Sequence, residues 1–157
     1  MSKWGIHFLS ATVMMSAIAG PALAATNVSL IGGILDSCIL TLSTPGRLVA
    51  DDSGMNMTST APLGAAAVLA VVATGGRPTV EFTAPTMSLS PGAYAGSPMV
   101  AVGYTSLGGA NQTMTSGESS YRSNLLLDIV TIDGTITDAN GFVAGDYAVS
   151  SVATCSQ

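Results

Sequence analysis

The sequence has 157 residues, 48% of them apolar and only 8% charged, with four basic against nine acidic side chains and a formal net charge of −5. That length fits one domain. The acidity excludes nucleic acid and anionic membrane surfaces as natural partners, because both bind through clustered Lys and Arg.

Residues 1–24 read as an export signal. Lys3 supplies the basic start, residues 4–20 are almost uncharged and mostly apolar, and "PALAAT" holds the small-x-small pattern Ala22-Leu23-Ala24 that signal peptidase accepts. A membrane anchor is the competing reading; the Pro21 break and the small-residue site favour cleavage after Ala24. Cleavage removes His7, Trp4 and Lys3, leaving Arg47, Arg77 and Arg122 against nine carboxylates, a formal charge of −6. In the mature chain the longest apolar run, "LGAAAVLAVVATGG" at 63–76, is too short to span a bilayer as a helix. The expectation is one exported domain, residues 25–157, in the periplasm, in a fimbrium or on the cell surface.

The mature chain opens with "NVSLIGGIL", 27–35, in which Val28, Leu30, Gly32 and Ile34 share one face of a strand. Further strands are expected at 37–43, 64–73, 78–83, 98–106, 124–132 and 142–154. They are separated by the turn clusters "TPGR" at 44–47, "TGGRP" at 74–78, "SPG" at 90–92, "LGGANQ" at 107–112 and "DANG" at 138–141. In "RPTVEFTAP" Val80 and Phe82 face one way and Thr79, Glu81 and Thr83 the other. In "GDYAVSSVATC" Tyr147, Val149, Ser151 and Ala153 oppose Ala148, Ser150, Val152 and Thr154. Alanine favours helix in the run 65–73, but Val68, Val71 and Val72 tip it towards strand. Residues 50–60 and 107–123 are polar and read as loops. This spacing predicts an all-β fold, a sandwich or barrel.

Cys38 and Cys155 are an even pair in an exported chain, and an oxidising compartment lets them join. Such a bridge sets the first strand of the domain beside its last.

The residue census leaves little room for catalysis. Without His or Lys the mature chain cannot build Ser-His-Asp or Cys-His machinery, nor a zinc site of His with Cys. No phosphate-binding glycine loop is present. Asp51-Asp52 and the series Asp128, Asp133, Asp138 could offer oxygen ligands, but an interval of five alternates faces along a strand, so solvated turn and edge positions are expected for the latter three. Met55, Met57, Met87, Met99 and Met114 could in principle ligate copper, although methionine more often fills gaps in cores and interfaces. The expectation is no enzyme, no metal and no cofactor.

An apolar strand at a free terminus is a hazard unless recruitment of another chain is its purpose. In "NVSLIGGILDSC" the alternation ahead of Cys38 resembles the amino-terminal region of bacterial chaperone-usher pilus subunits. The closing "GFVAGDYAVSSVATCSQ" is similar to the last strand of secreted pilins and spore-coat-U-like subunits. The resemblance implies an incomplete immunoglobulin-like sandwich after an N-terminal signal helix. It also implies a donor-type strand, residues 25–35, whose Val28, Leu30, Gly32 and Ile34 complete a neighbour by strand addition. The partners so implied are copies of itself or related subunits and a periplasmic chaperone. Two features depart from the family: the second cysteine is the third residue from the chain end, and Tyr147 lies ten residues before the last residue. The alternative reading is a monomeric secreted sandwich that binds glycan or another envelope component, with 27–35 folded back into its own sheet.

Overall fold

The computed structural model describes residue 33 and residues 36–90 and 94–157. The expected signal 1–24, and Val28, Leu30, Gly32 and Ile34 of the leading strand, lie outside the described residues. Among those described there are twelve strands and no helix. In chain order they are β1 (Ser37–Thr44), β2 (Val49–Ala50), β3 (Asn56–Thr58), β4 (Ala67–Thr74), β5 (Thr79–Phe82) and β6 (Thr86–Ser90). They continue with β7 (Met99–Ser106), β8 (Asn111–Thr115), β9 (Ser119–Arg122), β10 (Leu127–Thr137), β11 (Asp146–Ser150) and β12 (Ala153–Ser156). The protein is all-β, as the turn spacing predicts.

β10 organises the larger sheet because its eleven residues serve several neighbours. On one edge Leu127–Ile132 pair with Val72–Ala67 of β4, and further on Thr135–Thr137 pair with Thr58–Asn56 of β3. The other edge pairs with β7 from Val130 to Thr137. β1 adds to β4, β2 to β3 and β8 to β7, giving seven antiparallel strands. The remaining strands form β12–β5–β9 and β11–β6. β5 leads into β6 and β11 into β12, so these pairings join the same two chain segments on either side of an irregularity. At that irregularity Ser151 and Val152 bond to Thr83 instead of continuing the ladder.

The period of two places the core. Leu69 and Val71 of β4, Tyr104 of β7 and Val130 of β10 pack with Val80 and Phe82 of β5. Val71, Val80 and Val130 are fully buried. Glu81 faces outward between Val80 and Phe82, as its alternation requires. Tyr147, Val149, Ser151 and Ala153 are half-buried while Ala148, Ser150, Val152 and Thr154 are exposed, so the faces assigned from sequence hold. The alanine-rich run is strand β4: flanked by β1 and β10, its backbone is paired on both sides, and this tertiary pairing overrides helix propensity.

Three expectations need correction. The strand expected at 142–154 is two strands, broken at Ser151-Val152. The polar stretches read as loops contain β3, β8 and β9, whose Ser, Thr and Asn backbones are drawn into ladders by β10, β7 and β5. Asp128 and Asp138 are not solvated: their exposures are 0% and 5%. Asp128 accepts the Gly108 amide at 2.7 Å and the Tyr121 hydroxyl at 3.0 Å. Asp138 accepts the amides of Asn140 at 2.7 Å and Ser97 at 3.1 Å.

Cys38 of β1 and Cys155 of β12 form a disulfide with Cα atoms 6.0 Å apart. Nearby, the Gln157 side-chain amide donates to the carbonyls of Ser37 and Gly76. The bridge therefore ties the edge of the larger sheet to the last strand.

Candidate functional site

A groove of about 560 Å3 opens between β1 and β11. Its apolar lining comes from alternate residues of the strands around it. Leu40 and Leu42 of β1 form one wall, Tyr147 and Val149 of β11 the other, and Leu69 of β4 with Ile132 of β10 the floor. Phe82 and Ala153 line it towards the disulfide. At the far end the turn after β1 contributes Pro45, Gly46, Arg47 and Leu48. Arg47 is held there by reciprocal backbone bonds with Ala65, at 2.7 and 3.0 Å.

Two properties distinguish this groove from ordinary core. Leu42 lines it yet is 59% exposed, and Ile132 is only half-buried, so apolar surface that belongs to the interior is incompletely covered. β1 pairs only with β4, and β11 only with β6, among the described strands. Among the described residues each wall therefore carries one edge of backbone N–H and C=O groups not used in a ladder, which is the hydrogen-bonding template for another strand.

The polar members of the lining are few. Asp133 accepts the Ser59 hydroxyl at 2.7 Å, and Ser59 in turn accepts the Gly134 amide at 3.0 Å. Beyond Tyr147 the wall is backed by an aromatic cluster: Tyr147 meets Phe142 at 5.1 Å and Tyr94 at 5.8 Å between ring centroids. Tyr147 donates to the Val143 carbonyl and Tyr94 to that of Gly141, so both hydroxyls serve local packing. Loss of water around Tyr94, reinforced by the nearby Asp138 carboxylate, pushes its pKa up to about 12. Asp138 is held below the ordinary carboxylate value, chiefly by the Asn140 amide. Asp51 is likewise lowered, chiefly by the Ser53 hydroxyl, in the turn between β2 and β3.

A second cleft of about 330 Å3 is lined by Glu81, Glu118, Ser119, Ser120 and Thr154 with Phe82 and Thr83. No cluster of three or more His, Cys, Asp or Glu residues able to hold a metal ion occurs among the described residues. Asp128, Asp133 and Asp138 are each engaged with different partners and do not form one site. Met57, Met87, Met99 and Met114 lie on β3, β6, β7 and β8, and Met55 in the turn before β3.

Of the residues expected to act, Cys38 and Cys155 come together, while Val28, Leu30, Gly32 and Ile34 lie outside the described residues. Sequence reasoning did not single out Leu42, Val149 or Arg47 as lining residues. The alternation around Tyr147 and Val149 identified an inward face, but an inward face looks the same whether its sheet is complete or lacks a strand. No protein-family model matches the chain, and no curated protein or solved structure matches it either.

Proposed function

We propose that this chain is an exported structural subunit of a surface fibre or pilus-like assembly, built by strand addition between copies. The supporting observation is the groove between β1 and β11, with Leu42 exposed on one wall and, among the described residues, an unused backbone edge on each side. In this reading the two layers form an incomplete immunoglobulin-like sandwich. The missing strand is residues 27–35 of a neighbour, with Val28, Leu30, Gly32 and Ile34 facing the floor. Nine extended residues span roughly 30 Å, comparable to the wall made by β11 and β12. Burial of each large aliphatic side chain contributes about 1.5–3 kcal/mol, and the ladders on both sides add specificity. Before assembly, a periplasmic chaperone or a related subunit could occupy the same groove by the same chemistry.

An oxidised disulfide and the lack, among described residues, of any helix long and apolar enough to cross a membrane are compatible with export. In this reading the role is structural: the groove is walled chiefly by aliphatic side chains and backbone, and its one carboxylate, Asp133, is engaged by the Ser59 hydroxyl. Contacts between unlike surfaces of successive copies, repeated by a rotation that does not close into a ring, would produce an open filament.

The test compares the purified oxidised chain with a form lacking residues 25–35 and with Leu42→Asp, by light scattering and gels of unheated samples. The expected result is a ladder of multimers for the parent and folded monomers for both variants. A parent that is monomeric, with a truncated form that unfolds, would instead place 27–35 in its own sheet and turn attention to glycan or envelope ligands.

A further inference from the structure

Strand addition leaves unspecified which end of the groove receives the junction between the incoming strand and its own domain. Arg47, Arg77 and Arg122 are the only cationic side chains after residue 24, and of these Arg47 alone lines the groove. Its side chain is exposed while its backbone is fixed by the paired bonds to Ala65. The other charged residue of the lining, Asp133, is already engaged by Ser59.

The proposed occupant has a matching asymmetry. Within "ATNVSLIGGILD", residues 25–36, the sole charged side chain is Asp36. Asp36 is exposed and immediately precedes β1. When 27–35 of one copy lie in the groove of another, Asp36 is therefore the first residue outside it, at the mouth. The end towards Phe82 and Ala153 leads to the disulfide, whereas the other end is the Pro45–Leu48 turn that carries Arg47.

We propose that Arg47 pairs with Asp36 of the incoming copy and that this pair fixes the polarity of the inserted strand; the inference rests on the strand-addition reading above. Reversed insertion would take Asp36 to the disulfide end, and would bring the α-amino group created by signal cleavage towards Arg47, where like charges repel. The pair thus acts through attraction in one direction and repulsion in the other, which is how charge specifies register more than it adds raw affinity. At a partly covered rim it is also weakened by salt.

The experiment uses the full exported chain in four forms: parent, Arg47→Glu, Asp36→Arg, and the double exchange. Multimers are diluted and subunit loss is followed by light scattering at low and high salt. Each single exchange is expected to speed loss by about tenfold at low salt, as close charge pairs across interfaces do. The double exchange should return to within about twofold of the parent. Asp36→Asn, close in shape, is run alongside because Asp36 packs against Gly75 and an arginine there could disturb folding; it too should speed loss, and salt should have less effect on it.

Single exchanges that behave as the parent, or a double exchange as defective as the sum of the singles, would overturn the pair. If Leu42→Asp abolishes multimers while the charge variants behave as the parent, the pairing fails and strand addition stands. If the parent itself forms no multimers, both fall.

Discussion

Tyr121 of β9 donates its hydroxyl to Oδ2 of Asp128 on β10 at 3.0 Å, and the second carboxylate oxygen accepts the Gly108 amide at 2.7 Å. One fully buried carboxylate thereby joins β9, β10 and the turn between β7 and β8. Burial, with Asp128 adding to it, drives the Tyr121 pKa upward, so the phenol remains a donor throughout the neutral range. A Cβ at Gly108 would collide with Asp128 and Ser123, so the turn can approach only because that residue is glycine.

Replacing Asp128 by Ala would leave the phenol and the amide without their acceptor. Each buried unsatisfied group costs about 1–3 kcal/mol, so Asp128→Ala should destabilise by roughly 2–5 kcal/mol. Asp128→Asn retains one acceptor oxygen and should lose less. Urea unfolding followed by circular dichroism gives both values, and an Asp128→Ala midpoint equal to the parent's would show that the carboxylate contributes nothing.

Tyr104 presents the opposite case. Its ring packs on Phe82 at 4.6 Å and Tyr121 at 5.6 Å, yet its hydroxyl is buried with no hydrogen-bond partner among the described residues. Tyr104→Phe keeps the ring and removes the unsatisfied group. The expected outcome is a gain of about 1 kcal/mol, read as a raised thermal midpoint. A clear loss would mean that the hydroxyl has an acceptor in solution.

The disulfide spans 117 residues of sequence. On the chain-entropy account, closing a loop of that length stabilises by about 4–5 kcal/mol. The pair Cys38→Ser with Cys155→Ser should lower stability by that order and free β1 from β12. Urea unfolding of the oxidised parent, its reduced form and the serine variant should rank the last two together and well below the first.

These particulars show what the sequence could carry. Val80, Phe82, Tyr147 and Val149 were placed correctly because strand periodicity alone decides which side chains face inward. The bridge was legible because two cysteines allow a single pairing within the chain. β3, β8 and β9 were not, because "NMT", "NQTMT" and "SSYR" become strands only when a neighbour supplies the ladder. Asp128 and Asp138 were misplaced for a related reason: buried carboxylates depend on amides that arrive from turns distant in sequence, Gly108 and Ser97, and no local pattern announces them. The groove is a gap between β1 and β11, which are about a hundred residues apart, and a gap leaves no mark on either strand.

Acid and alkali should loosen the same corner of the molecule by different groups. Folding lowers the Asp138 pKa below its ordinary 3.8, through the Asn140 amide above all, so its contribution is present above that value and is lost as pH falls through the lower, folded one. Folding raises the Tyr94 pKa from 10.0 to about 12, through loss of water first and Asp138 second. For a phenol this favours the neutral form, so that contribution is complete below pH 10 and is lost between pH 10 and about 12. Asp138→Asn keeps an acceptor oxygen for one amide but removes the charge. Thermal midpoints measured against pH should then lose part of their decline below pH 4. Tyrosine absorbance near 295 nm should show Tyr94 ionising earlier than in the parent, though still above pH 10, because burial remains. An unchanged Tyr94 titration in Asp138→Asn would show that dehydration alone raises the phenol, and that the carboxylate holds the 94–98 segment only through the Ser97 amide.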